Sequence, residues 1–238
     1  TNFEPGVEVR GNVKVVRLKG TPYEMGVQHA TLLREELKAG VAFIESSVLG
    51  LLQPFAEYWG FLDEAMVQSY PDILDECRGM ADTLGEEGWT MERCMALAYG
   101  DVIIEYLNNG GLACSQFAAI GPAADGGEML HGRNLDWDKL DFLLENPVVF
   151  VRHQTGKIPY MVVGFPGMVA PYSGVNAAGV SIASNEANSK NDIDRTGRSH
   201  VQMVAQVLAN ASSLDEARDF LKSQDHMSAE ILFVADGD

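Results

Sequence analysis

Periodicity along the chain predicts an α+β protein. Apolar residues recur at helical spacing through much of the stretch from Thr21 to Tyr106. Beyond Gly111 the pattern changes to short apolar runs separated by glycine-rich turns, and helical spacing returns at His200. Helices grouped apart from a block of strands belong to the α+β class rather than to alternating βαβ units.

The elements follow in order. Residues 7–18 read as a strand or hairpin, with Val9, Val13, Val15 and Val16 disposed around Gly11-Asn12. Thr21, Pro22 and Glu24 supply a hydroxyl cap, a proline at the first helical position and an acid in the first turn. The helix they open is expected to run through Leu33, Leu37, Val41 and Ile44 towards Leu51. A second helix is expected from Tyr70-Pro71-Asp72 to Thr83, ended by Leu84-Gly85. A third starts at Thr90, carries Cys94, Leu97, Val102, Ile103 and Tyr106, and is broken by Asn108-Asn109-Gly110-Gly111. Strands are expected at 112–120, 128–133, 148–154, 160–165, 168–173 and 179–183. Turns at Ala124-Asp125-Gly126-Gly127 and Asn176-Ala177-Ala178-Gly179 separate some of them. Helices at 200–208 and, capped by Ser213, at 214–223 precede a last strand at 231–234.

A chain of 238 residues with 46% hydrophobic and 21% charged residues can bury a core as one large domain or two small ones. Its 34 acidic residues against 17 basic ones give a net charge of -17. Such a surface repels phosphate backbones and anionic lipid, which argues against nucleic-acid binding and polybasic membrane docking. The longest apolar runs, at 41–44 and 148–151, are too short to insert in a bilayer. The three cysteines, Cys77, Cys94 and Cys114, suggest neither a disulfide framework nor a zinc pattern, and Cys77 and Cys94 read as buried structural thiols in helices. The first residues lack the basic start and apolar run of a signal peptide, so the default expectation is a cytoplasmic protein, with a removed leader left open. Asn210-Ala211-Ser212 is a glycosylation sequon that matters only if the protein is secreted.

Phosphate-binding loops, dinucleotide fingerprints and Gly-x-Ser-x-Gly elbows are absent from the sequence. His29, His131, His153, His200 and His226 are isolated, so neither a metal nor another cofactor is expected. Cys114 differs from the helical cysteines because it follows a glycine-rich loop and opens an apolar strand. One hairpin later, Gly132-Arg133-Asn134-Leu135-Asp136-Trp137 places a guanidinium and a carboxylate three residues apart.

A cysteine opening a strand, with Gly-Arg-Asn-Leu-Asp-Trp about twenty residues on, resembles the cysteine N-terminal-nucleophile (Ntn) hydrolases, which include choloylglycine hydrolases, penicillin V acylases and acid ceramidases. Leu18-Lys19-Gly20-Thr21-Pro22-Tyr23-Glu24-Met25-Gly26-Val27-Gln28-His29 is similar to the start of the acyl-CoA:isopenicillin-N acyltransferase-like branch. Gly174-Val175-Asn176-Ala177-Ala178-Gly179-Val180-Ser181-Ile182-Ala183-Ser184-Asn185 resembles a further block of that family.

The resemblance implies an αββα sandwich, with residues 1–113 as an N-terminal strand and helical pro-segment and 114–238 as the first part of the catalytic domain. It implies self-cleavage between Ala113 and Cys114, after which the two fragments stay associated. The new α-amino group, with a pKa of about 7.7–8.0, then serves as base for its own thiol. Arg133 is expected to stabilise the thiolate, Asp136 to hold the α-amino group, and Asn185 to donate to the oxyanion. Asn176 and Asn188 are substitutes for Asn185, although Asn176 reads first as a turn residue.

The family continues through further strands that carry another active-site asparagine, so a C-terminal truncation with unpaired strand edges is expected. The activity implied is hydrolysis or acyl transfer on linear amide (C-N, non-peptide) or acyl substrates of low molecular weight, without membrane insertion. Homo-oligomers are compatible with this reading. A lipid-amide hydrolase of the acid-ceramidase kind is an alternative, with Phe165, Met168 and Tyr172 lining an acyl pocket or belonging to the core. An unprocessed, non-catalytic binding protein on the same scaffold is another.

Overall fold

The structure, a computed structural model, describes residues 3–46, 60–99, 113–125, 127–136, 141–187 and 193–237. Strands β1 (Gly6–Arg10) and β2 (Val13–Gly20) form the expected hairpin. Thr21 caps α1 (Pro22–Leu32). Its hydroxyl accepts from the Glu24 amide while the Glu24 carboxylate accepts from the Thr21 amide, so two donors at the helix end are satisfied reciprocally. The continuous helix expected towards Leu51 is interrupted. Leu33, at φ -119° and ψ 30°, leaves the helical region and separates α1 from α2 (Arg34–Ser46). The turn of the chain there leaves Leu33 and Leu37 both fully buried. Leu51 lies outside the described residues.

Helix α3 (Phe61–Gln68) is an additional element beyond those expected from the sequence pattern. Helices α4 (Pro71–Leu84) and α5 (Met91–Ala98) start where the proline and the Thr90 cap place them. Val102, Ile103, Tyr106 and the Asn108-Asn109-Gly110-Gly111 loop are outside the described residues. Helices α1 and α4 meet through glycine: a Cβ at Gly26 would lie 2.0 Å from the Glu76 carbonyl oxygen, and one at Gly79 would lie 2.2 Å from that of Tyr23.

The expectation of two separate helical thiols is overturned. Packing of α4 against α5 brings the Cα atoms of Cys77 and Cys94 to 5.5 Å, and the two form a disulfide. Sequence spacing carries no sign of this pairing, because it arises where two helices cross.

Strands β5 (Val148–Gln154), β6 (Tyr160–Gly164), β7 (Ser173–Asn176), β8 (Ser181–Glu186) and β9 (Glu230–Ala235) join the hairpin in a seven-stranded sheet ordered β1-β2-β5-β6-β7-β8-β9. Its neighbours are antiparallel except β2 and β5, which run parallel with Lys14 opposite Val148 and Gly20 opposite Gln154. The strand expected at 168–173 is not formed. Pro166 lacks a ladder donor and Gly167 sits at φ +92°, so the chain turns, and residues 168–172 are buried without joining the ladder. Pairing resumes at Ser173. The expected strand at 179–183 begins two residues later, because the Asn176 turn extends to Val180.

Helix α7 (His200–Asn210) and helix α8 (Leu214–Lys222) follow, the latter capped by the Ser213 hydroxyl accepting from the Glu216 amide. Alternation along β6 buries Tyr160 and Val162 on the helical face and turns Met161 and Val163 to the other. That other face carries a second, two-stranded sheet of β3 (Ala113–Gly121) and β4 (Gly127–Asp136), and a short helix α6 (Asp141–Glu145) that was also not expected. The described residues thus stack a helical layer, a large sheet and a β ribbon. Phe117, Ile120 and Leu130 of the ribbon are exposed.

Glu76 of α4 forms a buried ion pair with Arg152 of β5, whose guanidinium lies 5.5 Å from the Tyr160 ring centroid. Burial pushes the Glu76 carboxyl above its ordinary pKa against the opposing pull of Arg152. Arg152→Met strands the carboxylate and should cost about 3–5 kcal/mol in denaturant unfolding, while Glu76→Met with Arg152→Met should recover most of it. His29, fully buried, accepts from the Gly167 amide through Nε2 at 3.0 Å. Burial, with Arg152 nearby, lowers its pKa to about 3, so the folded state holds it neutral. The unfolded chain binds its proton more readily, and stability should therefore fall as pH drops from about 6.5 towards 3, by up to about 1.4 kcal/mol per pH unit. Chemical denaturation across that window should show a weaker acid slope in His29→Gln.

Candidate active site

The ribbon register brings Cys114 and Arg133 together. Cys114 pairs with Leu135, Gln116 with Arg133, and Ala113 with Asp136. Paired residues on antiparallel strands share a face, so Cys114, Gln116, Arg133 and Leu135 look one way and Asp136 looks the other. The first face turns towards the large sheet, where Asn185 and Ser181 of β8 meet it.

Arg133 Nη2 donates to Cys114 Sγ at 3.1 Å and to the Ser184 carbonyl at 3.0 Å. Its guanidinium carbon stands 5.2 Å from the centroid of the Tyr172 ring. Cys114 is outside the disulfide and half-buried. Asn185 Nδ2 donates to the main-chain carbonyl of Cys114 at 3.4 Å. Asp136 is exposed, accepts from the Asn134 side chain, and stands across the ladder from Ala113. The structure therefore gathers Cys114, Arg133 and Asn185, and sets Asp136 beside the main chain that precedes the cysteine rather than beside its sulfur.

Asn176 is used elsewhere. Its Nδ2 donates to the Leu208 and Ala211 carbonyls at 3.0 and 2.7 Å, and its Oδ1 accepts from the amides of Ala178 and Val180. This set closes the turn and ties it to α7, so Asn176 is no substitute for Asn185. Asn188 and Trp137 lie outside the described residues.

A cleft of about 520 Å³ opens between the ribbon and the large sheet, lined by Arg133 and mainly by apolar side chains such as Leu135, Met161, Val163, Phe165 and Tyr172. Phe165 and Tyr172 thus reach the cleft, while Met168 fills the space above Gly164, where a Cβ would come within 2.0 Å of its methyl carbon. His131, also on the cleft, contacts the Ser181 hydroxyl at 3.5 Å, and partial burial lowers its pKa. The Ser184 carbonyl and the Tyr172 ring were missed as partners of Arg133. An apolar aromatic before a strand and a backbone acceptor leave no mark in a sequence. Among the described residues no group of three or more His, Cys, Asp or Glu side chains is placed to hold a metal ion, and no helix is long and apolar enough to cross a membrane. Chemically, the arrangement offers a thiol beside a guanidinium, an amide donor beside its own residue, and an apolar groove alongside.

No family model matches the chain. An archaeal protein of Archaeoglobus fulgidus, itself described only as uncharacterized, is 24% identical over 253 aligned residues. The match covers 95% of this chain, which spans 42% of the length of that curated relative. Among solved structures, the Caenorhabditis elegans ortholog of N-acylethanolamine-hydrolyzing acid amidase is similar at 24% identity and a TM-score of 0.44, over 53% of this chain and 56% of that one. Penicillin V acylase from Agrobacterium tumefaciens is similar at 20% identity and a TM-score of 0.37, over 52% of this chain and 44% of that one.

Proposed function

We propose that the chain belongs to a self-processing cysteine Ntn amidohydrolase or acyltransferase, of the acyl-CoA:isopenicillin-N acyltransferase-like kind, acting on linear amide or acyl substrates through a Cys114 thioester. The observation that carries the reading is the Arg133 guanidinium 3.1 Å from the Cys114 sulfur. A cation at that distance favours the thiolate over the thiol and so activates the nucleophile.

Processing begins with attack of Cys114 Sγ on the Ala113 carbonyl carbon. The Ala113–Cys114 amide bond breaks, its nitrogen takes up the proton, and Ala113 is left as a thioester. Water then releases the Ala113 carboxylate and restores the thiol. In the mature form the Cys114 α-amino group accepts the thiol proton and Sγ attacks the substrate carbonyl. The leaving amine takes the proton back, and water or an acceptor amine resolves the acyl-thioester. Asp136, across the ladder from Ala113, is suited to orient the new amino group through a charge-assisted hydrogen bond. Asn185 is the amide donor at hand for the oxyanion.

A lipid-amide substrate is favoured by one observation, the apolar lining of the cleft beside Arg133. The Cys77–Cys94 disulfide supports maturation in an oxidising compartment rather than in the cytoplasm.

Intact mass under denaturing conditions should give fragments of 113 and 125 residues, the second beginning Cys-Ser-Gln-Phe. Under native conditions the two should travel together, since β2 is bonded to β5. Cys114→Ala should give one uncut chain without amidase activity. If that variant still cleaves amides, the nucleophile is another residue. A wild-type chain that stays uncut and whose Cys114 resists alkylation would support the binding-protein alternative. Asn185→Ala should lower kcat by about 10²–10³ with a much smaller change in KM, measured on any amide that the wild-type protein turns over.

A further inference from the structure

We infer that Tyr172 is a positioning residue for Cys114, its ring holding the Arg133 guanidinium within reach of the sulfur. The inference rests on the thiolate reading above. Arg133 comes from the thin ribbon, and its long side chain crosses to the large sheet before it can serve the thiol. One nitrogen, Nη2, donates to both Cys114 Sγ at 3.1 Å and the Ser184 carbonyl at 3.0 Å. Both contacts act on one atom, and Nε of the same guanidinium is buried without a hydrogen-bond partner among the described residues. The Tyr172 ring, 5.2 Å from the guanidinium carbon, supplies a separate contact. An aromatic face at this distance attracts a cation through its quadrupole, and the attraction is greater where water is excluded.

The ring is itself held in place. Tyr172 is 4% exposed, and its carbonyl accepts from both the Ser184 amide at 2.9 Å and the Ser184 hydroxyl at 3.3 Å. Ser184 thus anchors the residue that carries the ring and also provides the carbonyl that receives Arg133. The His200 ring packs against the same tyrosine, with centroids 5.9 Å apart. Phenol chemistry is not required: the face of the ring acts, and phenylalanine offers a similar face.

The test is the rate of alkylation of Cys114 by iodoacetamide in the full chain, measured from about pH 6 to 10. Cys77 and Cys94 are bound to each other, so the unreduced protein reports on Cys114. Tyr172→Phe should keep the wild-type midpoint. Tyr172→Met, which retains bulk without a π face, should raise the midpoint by about half a pH unit and slow alkylation near neutrality about threefold. Tyr172→Trp should lower the midpoint, and it keeps the test decisive if the Met variant fails to fold. A purely structural role would lower the melting temperature of these variants without moving the midpoint, and that result overturns the inference. Arg133→Gln separates the two levels of the argument. If Arg133→Gln raises the midpoint and Tyr172→Met does not, the inference fails alone. If Arg133→Gln leaves the wild-type profile unchanged, the thiolate reading fails with it.

Discussion

The parallel pairing of β2 with β5 is the constraint from which most of the molecule follows. It places residues that precede Cys114 and residues that follow it in one hydrogen-bonded sheet. Val16 and Leu18 of β2 and Phe150 of β5 are all fully buried, so the hydrophobic core runs without interruption across the two parts of the chain. The Glu76–Arg152 pair ties α4 to the same strand, one layer away. A break in the ribbon before Cys114 would leave these contacts untouched. The stability of the core therefore does not depend on an unbroken chain at that point.

The ribbon meets the large sheet through polar contacts as well as through Leu135, which packs against the core, and the His131 ring, 4.5 Å from that of Phe233. Arg133 reaches the Ser184 carbonyl, Gln116 reaches the Ile231 carbonyl at 3.4 Å, and Asn185 reaches the Cys114 carbonyl from the other side. The guanidinium thus lies between a sulfur and a carbonyl, next to an apolar cleft.

Local chemistry was easy to read in the sequence. Thr21, Thr90 and Ser213 mark helix starts that the structure reproduces, because caps are satisfied by neighbours within a turn, and Pro71 marks another through its fixed φ at the first helical position. The β5 run, with its β-branched residues, has the bounds expected. The misreadings share a different origin. Leu33 continues a helical pattern yet breaks the helix, since apolar spacing reports which residues are buried and not whether the axis is straight. Residues 168–172 are apolar enough for a strand but are buried in irregular chain after Pro166-Gly167. The Cys77–Cys94 bond depends on how two helices pack, which neither helix encodes alone.

The site divides in the same way. Cys114, Arg133 and Asp136 were singled out by a resemblance of sequence blocks, and the ribbon register then sets Arg133 on the face of Cys114 and Asp136 on the other. Asn185 could be suggested from a sequence block, but its approach to Cys114 spans 71 residues and depends on the ribbon lying over β8. Tyr172 and the Ser184 carbonyl had no signal at all as partners of Arg133. The sequence by itself determined the helix starts at Pro22, Pro71, Met91, His200 and Leu214 and the strand-rich second half, all set by backbone propensity and short-range pairing. Only the tertiary structure decided the disulfide, the parallel β2–β5 seam and the aromatic–carbonyl seat of the arginine, because each forms between elements whose meeting is set by burial of a shared core.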